Sequence, residues 1–235
     1  MKTTILTATI ALLAGSLIAA DSSLKDDVTS AAKKLGDKAN YSWKATVAVP
    51  EDAQFRPGPT DGKTEKDGFT LVEMTFFDNP VHIALKGDKA AYTDQDGNWQ
   101  SASASSDDQG PGRFMSLIAL NVRVPSAEAA ELASYAKELK KDGDVYSSDL
   151  TEAGAKAFLT FRRGMGNDGP TVSNPKGSVK FWVKDGELTK YEFKIKGTVS
   201  WNGNDFDNDR TTTVEIKDVG TTKVEVPDEA RKKLS

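Results

Sequence analysis

The chain has no cysteine. That absence excludes disulfides, thiolate metal ligands, a thiol nucleophile and acyl anchoring through a lipobox cysteine. Histidine occurs once, as His82. A Ser-His-Asp site would have to use it, because no other side chain titrates near neutrality unperturbed. No G-x-S-x-G elbow supplies the serine. An excess of one charge is also missing: 31 basic and 35 acidic residues give a net charge of −4, with the signs interspersed. Nucleic acid and anionic membrane are therefore not expected as steady partners. "GMGNDG" lacks the G-K-[ST] of a phosphate loop. "NDFDNDR" spaces Asp205, Asp207 and Asp209 like a calcium loop, but Arg210 stands where an EF-hand needs Gly and Ile216 where it needs Glu. No metal or cofactor is expected; a solvated hairpin loop is the reading of 202–210, with a weak, irregular calcium site as its alternative.

What is present begins with "MKTTILTATIALLAGSLIAADSS". One lysine, an apolar run and small residues make a secretory signal peptide, residues 1–22, with cleavage after Ala20 or after Ser22. The run is short for a membrane span and no second one follows, so an integral membrane protein is not expected. Cleavage after Ala20 leaves a net charge of −5. Residues 23–235 are long enough to bury one core without disulfides.

Hydrophobic periodicity sets the elements. "SSLKDDVTSAAKKLGDKAN" is an amphipathic helix with its stripe at Leu24, Val28, Ala31, Ala32 and Leu35. "YSWKATVAV" alternates as a one-sided strand, and 50–63 reads as a Pro/Gly loop. "FTLVEMTFF", "VHIALKG", "KAAYTD" and "NWQSAS" form a meander, with turns at Asp78-Asn79-Pro80 and Asp96-Gly97. After a Ser/Asp/Gly break come an apolar helix near 113–121 and a second helix over 125–143. Asp149 and Glu152 are spaced as a capping box for a short helix. "AFLTFRR" is ambiguous between helix end and strand, and 164–177 reads as loop. Two long strands flank Asp185-Gly186, and "TTTVEIKDVG" and "TTKVEVP" are the last strands before a helical turn at 228–234.

The hairpin at 178–197 carries Val179, Phe181 and Val183 on one run and Tyr191, Phe193 and Ile195 on the other, against lysines on the opposite face. Both apolar rows share a face only if odd residues pair with odd, which predicts a three-residue loop, Lys184-Asp185-Gly186. Trp182 and Leu188 then oppose each other on the charged face. The order helix, strands, helices, strands gives an α+β fold: an antiparallel sheet with helices packed on one face.

Several stretches resemble the LolA/LppX-like superfamily of exported bacterial lipid- and lipoprotein-binding proteins. They are "NYSWKATV" after the first helix, "LKGDKAAYTDQDGNWQ", the helical insert 113–141, "GSVKFWVKDGELTKYEFKIKG" and "TVEIKDVGTTKVEVPDEARKKL". The resemblance is one of layout and covers nearly all of residues 23–235. It implies a curved, unclosed half-barrel with helices over its concave face, and a lipid or a lipoprotein acyl chain held between them. Membrane-tethered members carry a lipidated cysteine that this chain lacks, so a soluble periplasmic or secreted form is expected, as a monomer and without catalysis. The expected cavity lining from the strands is Trp43, Val47, Met74, Phe76 and Ile83. The 113–121 helix would add Phe114, Met115, Leu117 and Ile118, and the hairpin Phe181, Tyr191 and Phe193. The same side chains read equally as a packed core. In that case the scaffold would serve a protein partner of the cell envelope through a sheet edge or the 51–62 loop. A hydrolase built on His82 or a carboxylate pair ranks third.

Overall fold

The computed structural model describes residues 14–53, 56–76, 79–103, 111–161, 163 and 169–235, with backbone alone for 14–22 and 111. Residues 1–13 of the expected signal and Asp78 of the expected 78–80 turn lie outside the described residues, as do parts of the two predicted loops at 102–112 and 164–177. The helices are α1 (Ala14–Gly36), α2 (Pro111–Leu120), α3 (Pro125–Tyr135), α4 (Glu152–Ala157) and α5 (Asp228–Lys233). The first six strands are β1 (Asn40–Ala48), β2 (Thr60–Glu65), β3 (Thr70–Phe76), β4 (Asn79–Lys86), β5 (Lys89–Thr93) and β6 (Trp99–Ser101). The rest are β7 (Lys140–Asp142), β8 (Val145–Asp149), β9 (Thr171–Lys184), β10 (Glu187–Trp201) and β11 (Asn204–Lys217).

All eleven strands form one antiparallel sheet in the order β6-β5-β4-β3-β2-β1-β11-β10-β9-β8-β7. The sheet is not closed into a barrel: β6 and β7 are its two edges. These edge strands are consecutive in sequence, so the chain between them must pass from one edge to the other. It does so as α2 and α3, whose buried side chains join α1 and the sheet in one large core. Topology alone thus lays the helical insert across the sheet. A second, smaller core lies on the opposite face, where Ala230 of α5 and Leu234 just after it join Ala84, Ala91 and Trp99.

Several sequence expectations need correction. The 50–63 loop ends in the start of β2, whose inward positions are Gly62 and Thr64, too small and polar to mark a strand by hydrophobicity. The 125–143 helix stops at Tyr135; Ala136 is extended, and the remainder makes the β7–β8 hairpin around Gly143. Thr151, not Asp149, caps α4, accepting from the Gly154 N–H at 3.1 Å. "AFLTFRR" supplies no strand among its described residues, whereas Thr171–Gly177 belong to β9. The 202–210 segment is mostly β11, reached through an Asn202-Gly203 turn with both φ values positive. "TTKVEVP" is not a strand; Val224 and Val226 pack on the outer face beside Trp99.

The β9–β10 hairpin keeps the predicted faces by a different route. Lys184 pairs with Glu187, so the loop is Asp185-Gly186 with φ values of 52° and 74°, a two-residue turn. A bulge then leaves Thr189 unpaired, and beyond it Tyr191 faces Phe181 and Phe193 faces Val179. One extra residue restores odd-to-odd pairing. Leu188 therefore pairs with Val183 and is buried, while Trp182 pairs with Lys190, whose Nζ lies 4.6 Å from the indole centroid.

Trp43 lies over Gly62, its cross-strand partner. A Cβ at Gly62 would sit 2.1 Å from Trp43 Cζ2. The glycine is required by close approach, not by backbone conformation. Gly62→Ala is expected to destabilise the protein by about 2 kcal/mol, the usual cost of overpacking a filled site. Urea denaturation of the variant beside wild type measures it.

Candidate functional site

The helix-bearing face divides into a closed region and an open end. In the closed region, sheet tyrosines reach through the apolar layer to helix groups. Tyr41 Oη (β1) donates to Ser126 Oγ of α3 at 3.1 Å. Tyr191 Oη (β10) donates to Glu128 Oε2 of α3 at 2.7 Å. Tyr146 Oη (β8) donates to Asp27 Oδ2 of α1 at 3.0 Å. Tyr92 Oη (β5) donates to the Gly112 carbonyl of α2 at 3.0 Å. Two arginines hold the end of α4: Arg123 Nη2 donates to the Ala157 carbonyl at 3.2 Å and Arg210 Nη2 to the Phe158 carbonyl at 2.6 Å. Arg123 also lies 4.3 Å from the Phe158 ring centroid.

Burial dominates the ionisation of this network. It raises the Glu128 carboxyl above the usual carboxylate range, against the lowering effects of the Tyr191 hydrogen bond and Arg123. Burial, and next the facing Glu128, push the Tyr191 hydroxyl well above the ordinary phenol value. Tyr191 is therefore a proton donor at every physiological pH.

The expected lining residues are not all alike. Ile83, Phe181 and Tyr191 are completely buried, and Trp43, Met115, Leu117 and Phe193 are also buried. Phe193 stacks on Tyr191 at 6.4 Å and meets Phe158 at 5.3 Å. Tyr41 covers Trp43 at 5.9 Å. By contrast Val47, Met74, Phe76 and Ile118 are half-buried, and Phe114 is 38% exposed. Phe114 contacts Phe76 at 5.5 Å and Phe161 at 6.3 Å. Sequence reasoning missed the far end of β10 and β11. Val199, facing Phe206, continues the inward row, with Trp201 38% and Phe206 53% exposed. The signal was there, because the odd row of β10 runs on through Val199 to Trp201.

The other candidates resolve simply. His82 lies opposite Glu73, on the face away from the large core, and its backbone N–H donates to Thr93 Oγ1. Asp207 accepts from Thr198 Oγ1 at 2.7 Å, and Asp209 bridges Lys194 and Lys196. Burial, the largest influence on Asp209, would raise its carboxyl; the two lysines together outweigh it and hold it below its ordinary value. Among the described residues, no three His, Asp or Glu side chains are grouped to hold a metal ion. No described helix is long and apolar enough to cross a membrane.

This layout has counterparts among solved structures. The chain is similar in fold to LppX. That lipoprotein, from Mycobacterium tuberculosis, is 10% identical over 87% of this chain and 98% of its own, with a TM-score of 0.49. LprF from Mycobacterium bovis is 11% identical over 89% and 98%, at 0.46. A LolA superfamily protein from Nitrosomonas europaea is 12% identical over 89% and 96%, at 0.36. No family model and no curated protein matches by sequence. A likeness of this size concerns layout and leaves the ligand to be argued from the side chains.

The raised Glu128 carboxyl has a pH consequence. A carboxyl whose folded value is raised contributes stability that is full below its unfolded value and is lost as pH rises through the folded one. Glu128→Gln keeps an acceptor for Tyr191 and removes the buried charge. The variant should therefore melt higher than wild type at pH 8, and the gap should close by pH 4.5. Thermal unfolding across that range checks it, and a gap that widens on acidification would refute the assignment.

Proposed function

We propose that the protein is a non-catalytic, exported binder of an acyl chain, carried as a lipid or on a lipoprotein in the periplasm or outside the cell. Residues 1–22 act as its export signal. α1 is continuous across Ala20 and Ser22, and its stripe of Leu24, Val28, Ala31, Ala32 and Leu35, which packs in the large core, follows both points. Cleavage at either point leaves that stripe in place.

The observation that carries the proposal is the open end of the helix-bearing face. There Phe76, Phe114 and Phe161 form a partly exposed aromatic group, and Phe206 and Trp201 extend apolar surface along the same face of the sheet. Exposed large apolar side chains gathered on one concave side mark a binding surface more often than scattered ones do. A chain of about 14 carbons removed from water gains on the order of 10 kcal/mol before the costs of binding. No bond need be made or broken. The completely buried Ile83, Phe181 and Tyr191 act as the floor of the site in this reading, not its wall.

The filled centre favours one second reading, a protein-interaction module of the envelope on the same scaffold. The test separates the two. Purified protein extracted with organic solvent should release an acyl lipid by mass spectrometry, and delipidated protein should bind a fluorescent fatty acid. Phe114→Asp, at a position already 38% exposed, should fold normally and weaken that binding at least tenfold. Protein that yields no lipid and ignores the fatty acid, yet retains an envelope partner in pull-down, supports the interaction module instead.

A further inference from the structure

A cleft of about 390 Å³ opens between the β4–β5 turn and the α2–α3 connection. Leu85, Ala90 and Leu120 line it with apolar side chains, and three cations line it too: Lys89, Arg123 and Arg163. One carboxylate, Asp88, lines it in return. Glu131 stands behind Arg123, 3.3 Å from its Nε, yet that buried N–H has no aligned acceptor. Arg163 is fixed at the rim from two sides. Its Nη1 donates to the Asp88 carbonyl at 3.2 Å, and its backbone exchanges hydrogen bonds with the Asn121 side chain at 3.0 and 3.1 Å. Asn121 also donates to the Leu117 carbonyl at 2.8 Å, which occupies one of the bare carbonyls at the end of α2. Those carbonyls would otherwise repel an anion. A second cleft, beside α1 and the β9–β10 turn, sets Asp27, Asp144 and Asp185 against Lys34 and Lys141 and so favours neither sign.

Apolar side chains beside three cations in one cleft fit an amphiphile with an anionic head. Guanidinium groups bind carboxylate and phosphate oxygens through paired N–H donors, more strongly in a partly desolvated cleft than in water. We infer that this cleft receives the anionic headgroup, carboxylate or phosphate, of the acyl ligand, with Arg163 and Lys89 as specificity residues. The inference rests on the acyl-chain reading above. The cleft is lined by the last turn of α2, the helix whose first turn carries Phe114. One helix therefore borders both the apolar end and the charged cleft.

The test uses cis-parinaric acid and its methyl ester, read by fluorescence with delipidated full-length protein. Wild type should bind the acid at least tenfold more tightly than the ester. Arg163→Gln and Lys89→Gln should each reduce that ratio several-fold while leaving ester binding unchanged. Equal affinity for acid and ester would overturn the headgroup inference and leave the acyl-chain reading standing. A ratio that survives both substitutions would overturn it too. If neither probe binds, the acyl-chain reading fails and the headgroup inference with it. Inorganic phosphate alone is the remaining arm. If it binds at submillimolar concentration through Arg163 while acid and ester are equal, the cleft serves a free anion, and the lipid assignment is wrong.

Discussion

The packing of this protein depends on hydroxyl groups that cross an apolar layer. A one-sided sheet needs cover, but grease against grease is not directional. Tyr41, Tyr92, Tyr146 and Tyr191 supply the direction. Each stands on a different strand, and together they reach α1, α2 and α3. A buried phenol without a partner is costly, so each bond sets a helix in one register as firmly as it satisfies an oxygen. The two arginines that hold the carbonyls at the end of α4 do the same for a helix too short to bury much surface of its own.

Beneath that layer lies a parity requirement. An antiparallel sheet of eleven strands keeps an apolar row on one face only while every pairing sets an inward residue against an inward one, as Trp43 against Gly62 and Tyr146 against Phe181. The β9–β10 pair contains two irregularities, one near Thr189 and one near Gly197. The first rescues the row from a turn of the wrong length. At the second the extra residue lies on β9, where Asn174 takes a positive φ beside Pro175, and β10 keeps its alternation. The inward row consequently runs unbroken from Tyr191 to Trp201, out of the packed region and into the exposed end.

This explains what could be read from the sequence and what could not. The α+β plan, the shared face of Phe181 and Tyr191, and the place of α2 along the chain follow from periodicity, which is local. The turn at 185–186 did not, because both loop lengths can give the same faces once a bulge is allowed. β2 was hidden because its inward residue is Gly62, chosen to fit Trp43 on the next strand. The first half of β11, up to Arg210, was hidden because alternating aspartates look like a loop when their lysine partners on β10 are not known to be adjacent. For the site, composition named a set of aromatic residues but could not sort them by exposure. Tyr191 and Phe114 look equally suited to line a cavity; a carboxylate on α3 makes the first a structural peg, and the second remains exposed.

The sorting bears on how a carrier could work on this scaffold. A binding face that is fixed everywhere cannot admit a long chain, and one fixed nowhere cannot hold its shape. Here the Tyr41, Tyr146 and Tyr191 ties hold α1 and α3. α2, which borders the open end, meets the Tyr92 hydroxyl through a main-chain carbonyl near its start and Asn121 at its finish. Between those ties it presents buried Met115, Leu117 and Ala119 to the core and exposed Phe114 to solvent. Apolar contacts tolerate sliding far better than aligned hydrogen bonds do, because dispersion depends weakly on angle. A guest chain entering beside Phe114 would therefore exchange one set of non-directional contacts for another, while the tyrosine-pegged helices α1 and α3 keep the sheet in register.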